Sequence, residues 1–217
     1  MNRREFAAGT ACLMATAALG IAGPVFAQGK KPEDGGDFIS LDRRVPVDAP
    51  EGRIEVIEFF WYGCPHCNAF EPRLVSWIQR QQPDVAVRRI PAAFRDDMVP
   101  QQRLFYALEA MGKVEELHDK VFRAIHEERN PLNREALIVD WVGKQGVDPA
   151  KFRELYNSLG VLSKARRAVQ IQDAYKVQGV PAIGVAGRFY TDAALAGSMD
   201  RALQVTDYLV AETRKSR

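Results

Sequence analysis

The chain has 217 residues, 47% of which are hydrophobic, so it is long enough to form one or two small domains with a proper core. Its net charge is only +2, and no run of basic residues alternates with aromatic ones. The composition therefore argues against a nucleic-acid-binding protein. A core of this size also does not depend on a disulfide for its stability.

The first 27 residues have the features of a signal peptide. Arg3 and Arg4 form a basic start, residues 11–22 are small and apolar, and residues 25–27 (VFA) offer a small-x-small cleavage site. We therefore predict cleavage after Ala27 and export to the periplasm, an oxidising compartment. The paired arginines are also typical of a twin-arginine signal, so general secretion and twin-arginine export both stay open.

The segment after the cleavage site is predicted to begin with a loose tail over residues 28–37, followed by an edge strand that starts at Phe38. Residues 53–62 (RIEVIEFFWY) are almost continuously apolar, which is typical of a strand buried on both faces. A helix is predicted from Pro65, and a second strand over residues 85–94. Because a helix joins these two strands, they should run parallel.

A long helical block follows the second strand, with apolar residues at helical spacing throughout. Asn133 and Asp148 are predicted to cap two of its helices, and Gly160 to end one. The last helix of the block is predicted to run from about Leu162 to Gln178.

Strand signals return after the helical block. AIGV and RFYT flank Ala186-Gly187 and predict a β-hairpin, and Ser198 is predicted to cap a final amphipathic helix. The order is thus β, α, β, a helical block, a β-hairpin and α. This order indicates an α/β domain split by a helical insertion, and by itself it is compatible with several architectures.

The CPHC motif at residues 64–67 is open to three interpretations: a metal site, a structural staple or a redox centre. A structural zinc ion needs four Cys or His ligands. Outside the motif only His118 and His126 remain in the mature chain, and we expect both on the surface of a helix. We therefore predict no metal and no cofactor. A disulfide across so short a gap restrains the unfolded chain little, which disfavours a structural staple.

The position of the motif favours thiol–disulfide chemistry. Cys64 stands where a strand ends and a helix begins, close to the N-cap. Unpaired backbone N–H groups and the helix dipole stabilise a thiolate there. His66 adds a second donor or a positive charge within reach. Because the thiolate is both the attacking and the leaving species in disulfide exchange, these neighbours predict a reactive pair.

With EFFWYGCPHC at residues 58–67, GVPA at residues 179–182 and a helical block between them, the sequence resembles the DsbA family of exported thiol–disulfide oxidoreductases. The resemblance covers nearly the whole mature chain. It implies a thioredoxin fold, a mixed sheet flanked by helices, over residues 38–96 and 178–217. An all-helical domain would be inserted over residues 97–177.

The resemblance also implies an activity and two kinds of partner. Members of the family donate a disulfide to reduced, newly exported polypeptides, and a membrane partner linked to quinones, DsbB, reoxidises them. Cys64 would be the exposed nucleophile and Cys67 the buried resolving thiol. Pro65 and His66, between the two cysteines, would tune the reactivity of the pair.

Two positions outside the motif are further candidate site residues. The resemblance implies that the Val180–Pro181 bond is cis and faces the cysteines, so that the Val180 backbone could pair with an extended substrate. Glu58 places a carboxylate among apolar residues on one face of its strand, which predicts a raised pKa or a charged partner. The family has an acid at this position with a lysine nearby, whereas this chain has Arg88 and Arg89 in the corresponding strand. Glu58 could act in proton transfer or only in a structural ion pair, and both remain open.

Two other functions also remain open at this point. A reductase or isomerase could use the same fold and the same cysteines. Isomerases of this fold usually carry an added dimerisation domain, and only a short tail precedes the fold here, which disfavours the isomerase. We expect a monomer. A binding protein or chaperone without turnover is a further alternative, and the intact pair of cysteines argues against it. The reduction potential of the pair would separate these functions.

Overall fold

The structure is a computed structural model, and it describes residues 30–216. The predicted signal peptide and the start of the predicted tail lie outside the described residues. Within the described range, no helix combines the length and the apolar character that a bilayer-spanning segment requires.

Five strands and eight α-helices are described, together with a short 3-10 turn at Asp96–Met98 that leads into the second helix. The strands are β1 (Ile39–Ser40), β2 (Ile54–Phe60), β3 (Val85–Pro91), β4 (Ala182–Val185) and β5 (Phe189–Asp192). The helices are α1 (Pro65–Gln79), α2 (Val99–Ala110), α3 (Val114–His126), α4 (Glu135–Lys144), α5 (Pro149–Tyr156), α6 (Leu159–Ala174), α7 (Ala193–Ala196) and α8 (Met199–Lys215).

The strands form a single mixed sheet in the order β1-β5-β4-β2-β3. β2 pairs with β3 in parallel over its whole length, and β4 pairs antiparallel with both β2 and β5. Every residue of β2 is buried, as expected for a strand with neighbours on both sides and cover on both faces. The predicted parallel pair and the predicted hairpin are both confirmed, and β1 is a two-residue edge strand.

Two hydrophobic clusters lie on opposite faces of the sheet. Ile54 and Val56 of β2 pack in one cluster with buried residues of α1 and α8. Ile57 and Phe59 point the other way, because side chains alternate along a strand, and pack in the second cluster with residues of α2 to α6. The helical block therefore shares a core with the sheet. Its treatment as a domain of its own, over residues 97–177, stays a prediction.

Two predicted helix ends are correct. Asp148 caps α5, accepting hydrogen bonds from the backbone N–H groups of Ala150 and Lys151 at 2.9 and 3.2 Å. Ser198 caps α8 in the same way, accepting from the N–H of Arg201 at 3.1 Å. In both cases the side-chain oxygen satisfies a donor that the helix itself leaves unpaired.

Three predicted helix ends are wrong. Arg134, not Asn133, is the N-cap residue of α4. Gly160 does not end a helix, because it lies in the first turn of α6, whose N-cap is Ser158. The same helix ends at Ala174, four residues before the predicted Gln178. Ser158 accepts a hydrogen bond from the N–H of Val161, so this cap outweighs the glycine signal.

Candidate active site

The CPHC motif lies at the start of α1, directly after β2. Cys64 is the N-cap residue, with φ −86° and ψ 117°, and Pro65 occupies the first helical turn, where its missing N–H costs nothing. Cys67 is fully buried, and Cys64 is only 7% exposed, so Cys64 is less exposed than the family resemblance implied. Pro65 and His66 are exposed. Both cysteines are present as free thiols.

The two thiols have opposite acidities. The pKa of Cys64 is lowered from 9.0 to about 6, chiefly by a hydrogen bond from the Cys67 thiol. Burial opposes this effect, whereas the backbone N–H groups of Cys67 and His66 and the charge of His66 reinforce it. Burial raises the pKa of Cys67 far above its usual range. At neutral pH the pair therefore consists of a Cys64 thiolate and a protonated Cys67, which is the asymmetry that directional disulfide exchange needs.

The loop between α6 and β4 covers Cys64. The Val180–Pro181 bond is cis, which confirms the expectation from the sequence. The Sγ of Cys64 lies 3.4 Å from the Val180 carbonyl oxygen, to which the protonated thiol donates. Beside this contact an open groove begins. It is lined by His66, Phe70, Arg73, Val180, Pro181 and Met199, among others.

Glu58 is buried in β2, where its charge acts on the Cys67 thiol, and it has an ion-pair partner. Arg89, its neighbour in the parallel β2–β3 register, places Nε 3.1 Å from Glu58 Oε2. Arg88 instead lies 3.2 Å from Glu55, so Arg89 is the partner that the sequence left undecided. Burial and the nearby charge of Glu71 raise the pKa of Glu58 to about 8, although Arg89 acts in the opposite direction. The predicted raised pKa and the predicted partner are thus both present.

Three residues near Glu58 were not singled out from the sequence: Tyr62, Glu71 and His118. Arg89 Nη2 donates to Glu71 Oε1, so one guanidinium serves two carboxylates. The Nδ1 of His118 lies 2.8 Å from the Tyr62 hydroxyl, and its Nε2 lies 3.6 Å from Glu71 Oε2. We call these three residues, together with Glu58 and Arg89, the buried polar network.

The expectation that His118 lies on the helix surface is wrong, because the residue is only 4% exposed. A signal was present in the sequence: His118 follows Val114 by four positions and precedes Val121 by three, which places it on the apolar stripe of α3. Glu71 has the same kind of signal, standing four positions after Cys67 and three before Leu74 on the buried side of α1.

Comparison with known proteins agrees with this geometry. The family model of the DSBA-like thioredoxin domain matches residues 55–204. The chain belongs to this family. Thiol:disulfide interchange proteins DsbA of Bordetella pertussis and Pseudomonas aeruginosa are 40% and 38% identical to it. These alignments cover 94% and 93% of this chain and 96% of each relative.

Solved structures of DsbA-family proteins have the same fold. The crystal structure of Pseudomonas aeruginosa DsbA superposes with a TM-score of 0.80 at 38% identity, covering 84% of this chain and 94% of that one. DsbA from Xylella fastidiosa superposes with a TM-score of 0.79 at 31% identity, covering 85% and 98%. The fold is thus the α/β thioredoxin type with inserted helices, and the chain is a protein-disulfide oxidoreductase of the DsbA family.

Proposed function

We propose that this DsbA-family chain donates the Cys64–Cys67 disulfide to reduced, newly exported polypeptides. The observation that carries the proposal is the difference between the two thiols: the pKa of Cys64 is lowered to about 6, and that of Cys67 is raised by burial. A stabilised Cys64 thiolate favours the reduced form. A protein whose reduced form is favoured gives its disulfide away readily.

The first step of donation breaks the disulfide. A substrate thiolate attacks Cys64 Sγ, a substrate–Cys64 bond forms, and Cys67 leaves with the electron pair of the broken S–S bond. Because the pKa of Cys67 is raised, this leaving group needs a proton. The carboxyl group of Glu58 has a pKa of about 8, so it is protonated at neutral pH. It interacts electrostatically with Cys67 and can supply this proton.

The second step releases the product. A second substrate thiolate attacks the substrate sulfur of the mixed disulfide, and Cys64 leaves as a thiolate, which its low pKa favours. The substrate is oxidised by two electrons and the Cys64–Cys67 pair is reduced. In this scheme Cys64 is the sulfur that bonds to the substrate and Cys67 is the first leaving group; in the reverse direction Cys64 is the nucleophile and Cys67 the resolving thiol. Pro65 and His66 tune the pair, His66 through its backbone N–H and its charge.

The backbone of Val180 is well placed to hold an extended substrate. Its carbonyl oxygen accepts from the Cys64 thiol at 3.4 Å, so it lies next to the sulfur where the mixed disulfide forms. In the mixed disulfide Cys64 carries no proton, so the carbonyl is free to accept from a substrate N–H. Val180 and Pro181 would then act as the substrate-binding residues, in the manner of strand addition.

The cellular setting of the proposal follows from the predicted signal peptide and the family. The chain would be cleaved after Ala27, act as a monomer in the periplasm and meet its substrates as they emerge from export. A membrane oxidase linked to quinones, similar to DsbB, would restore the disulfide after each cycle.

A redox titration and a trapping experiment test the proposal. The fraction of oxidised protein is measured in glutathione buffers of increasing GSSG content, and a strongly oxidising potential is expected. A strongly reducing potential would favour the reductase alternative. In extracts of exported proteins, Cys67→Ala should accumulate mixed disulfides through Cys64, whereas Cys64→Ala should not. Equal trapping by both variants would contradict the assigned roles.

A further inference from the structure

The buried polar network has an unusual charge balance. Glu58 and Glu71 are both buried and share the single guanidinium of Arg89. With both carboxyl groups ionised, the three side chains carry a net charge of −1 in the core, which is costly. One proton shared by the two carboxyl groups makes the group neutral. Which of the two holds that proton depends on what else each carboxyl group contacts.

His118 contacts only one of the two carboxyl groups. Its Nε2 lies 3.6 Å from Glu71 Oε2, which is longer than a hydrogen bond, and within residues 30–216 neither atom has a hydrogen-bond partner. On the opposite edge of the ring, Nδ1 lies 2.8 Å from the hydroxyl of Tyr62.

The tautomer of the neutral ring follows from these contacts. A proton on Nδ1 would leave a bare Nε2 lone pair facing the Glu71 carboxylate, which is repulsive. A proton on Nε2 instead points at Glu71, and Nδ1 then accepts from the Tyr62 hydroxyl. Burial lowers the pKa of His118, in keeping with a neutral ring.

We propose that His118, supplied by the helical block, is a positioning residue that keeps the shared proton of the network on Glu58. Its Nε2–H favours the ionised form of Glu71, so the proton resides on the other carboxyl group. The inference rests on the proposed function for its purpose, since protonated Glu58 is the acid that Cys67 needs when it leaves. His118 contacts neither sulfur, so its effect on the reaction must be transmitted to Glu58 through Glu71 and Arg89.

The charged and titratable groups around His118 come from four elements. Glu58 and Tyr62 belong to β2 and the residues that follow it, Arg89 to β3, and Glu71 to α1. The fourth element is α3 itself, from which Glu115 acts on the ring. Arg89 disfavours a positive charge on His118, whereas Glu71 and Glu115 favour one. Only Glu71 also faces the Nε2 atom, so the effect of His118 on Glu58 should pass through Glu71.

The test is a titration of the Glu58 carboxyl carbon by NMR, in wild-type protein and in His118→Phe. A phenylalanine preserves the ring packing of His118 against Phe60 and Phe122, whose centroids lie 5.1 and 5.3 Å away. Without the Nε2–H donor the shared proton should move to Glu71. The Glu58 midpoint is then expected to fall by about one pH unit, the lower end of what a hydrogen bond to a charged group contributes, because the contact of 3.6 Å is long.

His118→Gln and His126→Phe are the matched controls. The glutamine side chain in His118→Gln retains an N–H donor, so this variant should keep the wild-type midpoint. His126 also belongs to α3 and lies 2.8 Å from the Tyr62 carbonyl oxygen, but its contact is to backbone, so its replacement should leave the midpoint unchanged. In His118→Phe the Tyr62 hydroxyl loses its acceptor, Nδ1 of His118. If this variant does not fold, the double variant His118→Phe/Tyr62→Phe, which lacks that hydroxyl, is titrated instead.

A double-mutant cycle decides whether the effect passes through Glu71. In a Glu71→Gln background, His118→Phe should not move the Glu58 midpoint further. An unchanged midpoint in His118→Phe, or an equal shift with and without Glu71, would overturn the proposal. Because the NMR titration requires no substrate, it gives a result even if the chain fails to donate disulfides. The two proposals can therefore fail separately.

Discussion

Reduction of the Cys64–Cys67 pair should stabilise the protein increasingly as the pH rises from acid to neutral. In the oxidised protein neither sulfur titrates. In the reduced protein the pKa of Cys64 is lowered from 9.0 to about 6. A lowered pKa in the folded state contributes stability that is fully present above the unfolded pKa and is lost as the pH falls through the folded pKa. The window for this thiol therefore lies between 9.0 and about 6.

The magnitude follows from linkage. With the full depression, the folding stability of the reduced form relative to the oxidised form rises by about 2.5 kcal/mol between about pH 5 and about pH 8. Solvent at the helix end screens part of this interaction, and halving the shift leaves about 1 kcal/mol. The disulfide itself closes a loop of only four residues, which is worth about 2 kcal/mol by chain entropy and does not change with pH. The pH dependence is thus the decisive observation. With the full shift it exceeds the loop contribution, so the reduced form becomes the more stable one toward the alkaline end, whereas with half the shift the oxidised form stays the more stable one.

Urea unfolding of oxidised and reduced protein, followed by tryptophan fluorescence, measures this difference. At a slope of about 2 kcal/mol per molar urea, the gap between the two midpoints should change by about 0.5 to 1.2 M across the range. Cys64→Ser, compared with and without reductant, should show no such change. The measurements stay at pH values below the ordinary thiol pKa. At higher pH the raised pKa of Cys67 destabilises the folded reduced protein and so opposes the stabilisation by Cys64. A gap that is constant with pH, or one that favours the reduced form toward acid, would refute the reasoning.

Three further substitutions have defined outcomes. His66→Ser should raise the pKa of Cys64 by part of its total depression, because the backbone N–H groups remain, and thiolate absorbance against pH measures this. Gly184→Ala should destabilise the fold by about 1–3 kcal/mol in urea, since its Cβ would lie 2.8 Å or less from ring atoms of the buried Tyr175. Ser198→Ala should cost about 1 kcal/mol, also in urea, because α8 loses its N-cap acceptor.

Each of these substitutions has a control or a contradicting result. An unchanged Cys64 titration in His66→Ser would contradict a role of the His66 side chain, because the backbone N–H groups would then account for its share of the lowered pKa. Gly160→Ala is the control for Gly184→Ala, since a Cβ there meets nothing closer than 3.7 Å, and it should not destabilise α6. Ser198→Asp keeps a capping oxygen and should retain most of the stability that Ser198→Ala loses.

Much of the fold could be predicted because the strong signals are local. The apolar run of β2, the helix that starts at Pro65 and the hairpin around Ala186-Gly187 depend on side-chain period and turn chemistry, and the structure agrees with all three. Helix ends in the helical block were predicted less well. At Ser158 and Gly160 two signals compete over three residues, and the side-chain cap prevails.

The site was only partly predictable for a physical reason. Glu58 is conspicuous because a charge stands in an apolar strand, but the choice of Arg89 over Arg88 depends on which face of β3 each side chain occupies. The contact of His118 with Tyr62 joins residues 56 positions apart. No local pattern specifies such a pair, although the position of His118 on an apolar stripe indicated that it is buried.

The contact between Cys64 and Val180 spans 116 positions of the chain. If the polypeptide crosses the membrane unfolded, the two cysteines enter the periplasm long before the loop that covers them. During that interval they are ordinary thiols of a nascent chain, open to oxidation by any disulfide present. If a twin-arginine translocase carries the finished protein, the pair arrives already enclosed. The two export routes therefore differ in whether the cysteines of the newly exported chain are exposed to oxidation by another disulfide donor before the chain has folded.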